Sequence, residues 1–245
     1  MRILTSLLAL LLVSCATAPA SNDPFGDSTQ LLVVTTPDWD ATKGVLTMHE
    51  RRNGTLMAAW TAVGDPVPIV VGRTGLAWGD GLPLPLRREG PVKREGDGKA
   101  PAGLFALPSL FGYDAQPPGP HMPYIIATPT VECVDDAASP HYNTIVDTRE
   151  IAKTWTSSET MLRRDDLYRE GVVVAHNSNP PVTGRGSCIF LHLWSGPDST
   201  TAGCTAMSRE DLARLTRWLD AERRPLLLQL TQSQFDALGP LPRHP

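Results

Sequence analysis

The chain has 245 residues, enough for one sizeable core. Acidic residues (26) outnumber basic ones (22), and the formal net charge of −4 leaves no Lys/Arg stripe to neutralise phosphates, which excludes a nucleic-acid partner. Proline (23) and glycine (20) are abundant, favouring turns and short strands over long helices.

Residues 1–15 have the build of a signal peptide: Arg2, an apolar run from Ile3 to Val13, then small residues. The run is too short to span a bilayer as a stable anchor. "LVSC", Leu12 to Cys15, resembles a bacterial lipobox, which would make Cys15 the lipidated first residue of the mature protein. Ala16 after it resembles an outer-membrane sorting pattern. The folded part is therefore expected in the periplasm, held to the outer membrane through lipid on Cys15. Cleavage as a plain secretory signal after Ala18 or Ala20 is the alternative. Residues 16–30, small, polar and proline-bearing, read as a tether.

From Gln30 the pattern is β-like. "QLLVVTT" is a short β-branched run, and "GVLTMHE" and "TLMAAWTAV" flank Asn53-Gly54, a hairpin signal. A Gly-Asp-Pro turn leads to "VPIVVG". Arg73 to Ala102 is glycine- and proline-rich and charged, and reads as a long surface loop. "PYIIATPTVECV" reads as a strand pair, and "SSETMLRRDDLYRE" as a helix, with Met161, Leu162 and Leu167 at helical spacing. "GVVVAHNSN" and "GSCIFLHLW" are buried-strand candidates. The clearest helix is "SREDLARLTRWLDAERR", with Ser208 as N-cap and Leu212, Leu215 and Leu219 as its apolar stripe. "PLLLQL" is a final strand. The expected fold is mainly β with two helices, one domain over residues 31–232, and a flexible tail over 233–245, proline-rich from Gly239.

Beyond Cys15 the chain carries Cys133, Cys188 and Cys204. Three is odd, so at least one thiol has no partner within the chain, and any of the three could be that one. In "GSCIFLHLW", alternation puts Cys188, Phe190, His192 and Trp194 on one face and Ile189, Leu191 and Leu193 on the other. His192 thus sits near a strand end among aromatics. Cys204 follows Gly203 and lies four residues before the proposed helix cap, where backbone N–H groups and the helix dipole favour a thiolate. A histidine at a strand end, a loop, Gly-Cys and a capped helix can set a general base beside a nucleophile. No His-x-x-x-His or Cys-x-x-Cys spacing points to a metal.

"HLWSGPDSTTAGCTAMSREDL" (His192 to Leu212) resembles the active-site region of the L,D-transpeptidases, the YkuD-domain family of bacterial cell-wall enzymes. "VKREGDGKAPAGLFAL" (Val92 to Leu107) resembles a second family hallmark, a charged Gly-rich turn ending in Thr-Pro-x-Gly-x-Phe, here with Ala100 in place of Thr. Three departures mark a divergent branch. Ala202 stands where many members have a second histidine, Thr205-Ala206 replaces a hydrophobic-Arg pair, and His192 is closer to Cys204 than is common.

The resemblance implies a YkuD-like β-sandwich with its active-site cysteine on a loop leading into a helix. It implies acyl transfer on peptidoglycan stem peptides without a cofactor: Cys204 as nucleophile, His192 as base, a thioester intermediate, and a 3→3 crosslink formed by an acceptor amine. Backbone N–H groups around Gly203 and Cys204 would hold the oxyanion, with Thr205 a further candidate for positioning it or the substrate. His176 and Arg185 are candidates for further contacts in the site, Arg185 supplying positive charge that the missing arginine would have given. Resolution by water, giving an L,D-carboxypeptidase or endopeptidase, and a non-catalytic wall-binding lipoprotein are the rival readings.

Overall fold

The computed structural model describes residues 23–52, 59–119, 121–239 and 241. The lipobox with Cys15, the signal-like segment, the first part of the tether and the Asn53-Gly54 hairpin signal lie outside them. In chain order the strands are β1 Gln30–Thr36, β2 Lys43–Glu50, β3 Thr61–Val70, β4 Leu76–Trp78, β5 Ala100–Ala106, β6 Leu110–Gly112, β7 Tyr124–Ile126, β8 Val131–Val134, β9 Ile145–Asp147, β10 Ser158–Thr160, β11 Glu170–Val173, β12 Phe190–Leu193, β13 Thr205–Met207 and β14 Leu226–Thr231. Two helices, α1 Arg209–Trp218 and α2 Gln232–Leu238, complete the fold. No helix among the described residues is long and apolar enough to cross a membrane.

The strands form an 11-stranded ladder, β4-β5-β14-β1-β2-β3-β13-β12-β11-β6-β7, and a separate small sheet, β10-β8-β9. β14, "LLLQLT", is buried along its whole length, and it lies between β5 and β1. That is the place for a strand with apolar residues on both faces. Leu104 of β5 and Val172 of β11 belong to one core although they stand far apart in the ladder. The Ala175 N–H, just past β11, donates to Ala106 O at 2.9 Å. The long ladder therefore folds over on itself as the two facing layers of a β-sandwich. α1 adds Leu212, Leu215 and Leu219 to the same core. Its start is the expected one: the Ser208 hydroxyl accepts from the Asp211 N–H at 3.1 Å.

A second, smaller core forms on the outer face of β12. Phe111, Met161, Tyr168 and Phe190 pack there with all three described cysteines, beneath the β10-β8-β9 sheet. Cys133 of β8 is bonded to Cys188, which precedes β12, with Cα atoms 5.9 Å apart. This bond ties the small sheet to the large one and leaves Cys204 as the free thiol among the described residues. Gly171 of β11 makes the packing possible. A Cβ there would lie 2.2 Å from the Phe111 ring, so only glycine lets the ring cross the strand.

Several local readings are corrected. Ser157–Glu170 is not a helix. Ser158–Thr160 pairs with β8, the Met161 N–H donates to Val131 O at 3.0 Å, and Asp166 has φ 59°, which no helix accommodates. Pairing with the small sheet overrides the helical spacing. The second helix is α2, inside the segment expected to be a loose tail, and its Phe235 and Leu238 pack against the core. The end of the expected tether is also structured: Phe25 is buried, and Asp23 meets Arg51 at 2.5 Å in a desolvated ion pair. Within the expected surface loop, Leu76-Ala77-Trp78 is a fully buried strand. Gly64-Asp65-Pro66 is not a turn but a bulge inside β3, where the register steps from Met48↔Val63 to Leu46↔Val67.

Replacing Gly171 by alanine is expected to destabilise the fold by about 1–3 kcal/mol through overpacking against Phe111. Urea denaturation of wild type and Gly171→Ala checks this; equal stability would mean that Phe111 can move aside freely.

Candidate active site

β12 and β13 run parallel in the register Leu191↔Thr205, His192↔Ala206, Leu193↔Met207. Side chains alternate, so Leu191, Leu193 and Met207 enter the main core. Phe190 and His192 point the other way, together with Cys204, which stands one residue before β13. The expected alternation of this strand is thus what the fold displays. Cys204 does not lead directly into a helix, however, because the three residues of β13 separate it from the Ser208 cap. It lies beyond the first turn, where a helix dipole acts most strongly.

His192 is 6% exposed. Its Nδ1 lies 2.8 Å from Leu193 O. A carbonyl only accepts, so Nδ1 carries the proton and Nε2 is the basic nitrogen. Tyr168 packs edge-on against the imidazole, with ring centroids 5.1 Å apart. Burial pulls the His192 pKa down to about 4, which keeps the ring neutral at neutral pH.

Cys204 is also 6% exposed. Its sulfur accepts from the Phe190 N–H at 3.4 Å and its S–H donates to Cys188 O at 3.6 Å. Burial, and secondarily the Glu159 carboxylate, push the thiol up to about 12. The resting group is a thiol, not the thiolate expected from its place in the sequence. Desolvation outweighs the favourable influence of the Phe190 N–H and Lys93. The thiol and the imidazole form no hydrogen bond to each other in this structure, but both line one cavity of about 470 Å³.

The cavity wall is charged. Arg73, Lys93 and Arg163 supply cations, and Glu95, Asp135 and Glu159 supply carboxylates. Lys93 is held by Asp97 at 2.6 Å and Arg94 O at 2.8 Å. Glu95 accepts from the Ser187 hydroxyl at 2.8 Å and from the Tyr142 hydroxyl. Such a wall suits a ligand carrying both signs of charge.

The remaining expected site residues divide. Gly203 lines the cavity, as does Ala202. The Gly203 N–H, however, is already donated to the Thr201 hydroxyl at 3.1 Å. Thr205 turns to the opposite face of β13, where its hydroxyl meets Gln229 Oε1 at 2.7 Å. His176 does not line the cavity. Its Nε2 donates to Arg185 O at 3.0 Å and its Nδ1 accepts from the Asp80 N–H at 3.2 Å, so both nitrogens serve the loops around them. Burial holds its pKa near 4. Arg185 reaches toward Asp80 at 3.7 Å and stands half-exposed outside the cavity. The positive charge sought from Arg185 comes instead from Arg73, Lys93 and Arg163. Tyr168, Glu159 and Arg163 belong to the segment read as a helix, which hid them. The one signal was a cluster of charged residues on both sides of a Leu-Tyr pair, "RRDDLYRE".

Comparison with protein families gives the L,D-transpeptidase catalytic domain, YkuD, over residues 45–227. The chain therefore belongs to the L,D-transpeptidase catalytic-domain family, whose members are enzymes acting on peptidoglycan. Comparison with curated proteins and with solved structures gives no match.

Two histidines whose folded pKa lies near 4, below the ordinary 6.5, set a pH dependence of stability. As pH falls from 6.5 toward 4, the unfolded chain takes up protons that the folded one refuses, so stability is lost across that window. The melting temperature should drop there, and less steeply in His176→Gln if that variant folds. A flat profile across the window would contradict the burial of both rings.

Proposed function

We propose that the protein is a cysteine acyltransferase that forms 3→3 crosslinks between peptidoglycan stem peptides. The observation that carries this reading is the placement of a free thiol and a neutral imidazole with a basic Nε2 on one wall of one charged cavity. Cys204 transfers its S–H proton to His192 Nε2 as the sulfur attacks the carbonyl of the donor stem. Proton loss and attack are coupled, because neither a buried thiolate nor a buried imidazolium is stable alone. The tetrahedral oxyanion is received by backbone N–H groups around Gly203 and Cys204, with the Gly203 N–H exchanging the Thr201 hydroxyl for it. Collapse expels the terminal D-amino acid, whose amine takes the proton back from His192. An amine of a second stem then attacks the thioester, forms the amide bond and restores the thiol. The chemistry requires no cofactor.

The mixed charge of the cavity supports a peptide bearing both ammonium and carboxylate groups. We further propose that the protein is exported and lipidated at Cys15, and works in the periplasm from the outer membrane. The Cys133–Cys188 bond supports the first part, since structural disulfides persist in oxidising compartments.

Incubation with a disaccharide tetrapeptide, followed by mass spectrometry, should give the 3→3 dimer in wild type and none in Cys204→Ala. A carbapenem should add once to wild type and not to Cys204→Ala. His192→Ala is expected to slow thioester formation by about 10²–10⁴-fold with the fold retained. Trimmed tripeptide without dimer would replace the transferase reading by a carboxypeptidase one. Wild-type turnover in Cys204→Ala would remove the mechanism altogether.

A further inference from the structure

Two groups at the cavity, one buried and one half-buried, take no part in that chemistry. Tyr168, 4% exposed, lies on the turn entering β11, and Glu159 stands in the middle of β10 opposite Cys133. The Tyr168 hydroxyl donates to Glu159 Oε2 at 2.5 Å. The ring is held edge-on by His192, Phe190 and Phe111, with centroids 5.1, 5.5 and 5.6 Å away, so it has no room to pivot. Arg163 stacks over the same ring at 4.9 Å. Tyr168 packs in one cluster with Cys204, and the two line the same cavity as Glu159. A phenol has one proton to donate, so a thiolate formed at Cys204 would compete with the carboxylate for it.

We propose that Tyr168 supplies the hydrogen bond that receives the Cys204 thiolate as it forms, and that Glu159 is a positioning residue that competes for that hydroxyl and so restrains the thiol. Neutralising the Glu159 carboxylate, by a proton or by a cationic group of a substrate, frees the hydroxyl for sulfur. The inference rests on Cys204 being the reacting group of the proposed function. The charged groups around the sulfur act in opposite senses. Lys93, from the loop before β5, favours the thiolate, and Glu159 opposes it. Burial raises the Glu159 pKa, the Tyr168 hydrogen bond and Arg163 work against that rise, and Asp135 and Glu95 add to it. His192, on β12, is neutral and fixed by Leu193 O.

The test is alkylation of Cys204 by iodoacetamide in the full chain, followed by intact mass over a neutral-to-alkaline pH series. Glu159→Gln removes the negative charge and should alkylate about tenfold faster at fixed pH, while Tyr168→Phe removes the donor and should alkylate about tenfold more slowly. A merely structural pair would behave otherwise: either substitution would loosen the packing, expose the sulfur and speed alkylation. Two rates moving the same way, or neither moving, overturn the proposal. Should Glu159→Gln fail to fold by circular dichroism, Tyr168→Phe decides by its sign, a faster or unchanged rate overturning the proposal. Alkylation needs no peptidoglycan, so this outcome is separate from the failure of the proposed function, which is read from muropeptide turnover in Cys204→Ala.

Discussion

The site depends on one constraint, the parallel register of β12 and β13 beneath the small sheet. That register places Cys204 and His192 on the same face of neighbouring strands. The small sheet, joined to the large one through Cys133 and Cys188, covers this face and removes water from it. Gly171 provides the space in which Phe111 fills the floor. Alternation along β12 does two jobs: Leu191 and Leu193 hold the strand in the main core, and Phe190 and His192 are turned toward the cavity.

Dehydration decides the character of the chemistry. A reactive cysteine is often pictured as a standing thiolate beside an imidazolium. Here burial drives the thiol up and the imidazole down, so the resting pair is neutral on both sides. In the proposed mechanism charge appears only as the sulfur attacks, with the proton passing to Nε2 in the same event. The Leu193 carbonyl has a defined part in this. By holding the Nδ1 proton it fixes the tautomer that leaves Nε2 able to accept. A neutral resting thiol is also less prone to unwanted alkylation or oxidation than a thiolate.

Much of the frame was legible in the sequence because it rests on local rules. The alternation of "GSCIFLHLW", the Ser208 cap and the buried run of β14 all follow from side-chain periodicity and hydrogen-bonding chemistry. The Gly-Cys stretch and the "APAGLF" turn carried the family resemblance. What escaped depends on contacts distant in the chain. Met161, Leu162 and Leu167 have helical spacing, but Ser158–Thr160 is captured by β8 and Asp166 adopts a left-handed conformation. Tyr168 and Glu159 are nine residues apart in a charged run, and nothing local shows that they meet. Cysteine parity left three pairings open, and only the position of β8 over β12 selects Cys133 with Cys188. Proximity of Cys204 to a helix start suggested a lowered pKa, yet β13 intervenes and burial dominates. His176 was a candidate for a second imidazole in the site, but both its nitrogens are committed to loop backbone.

The central claim is that a neutral His192 with its proton on Nδ1 faces a neutral thiol. Nitrogen-15 NMR of the imidazole rings reads it most directly, with His192→Gln used to assign the signal. The account predicts a protonated Nδ1 and a bare Nε2 at neutral pH, a pattern that persists well below the ordinary histidine titration range. A doubly protonated ring at neutral pH, or a proton on Nε2, would contradict it.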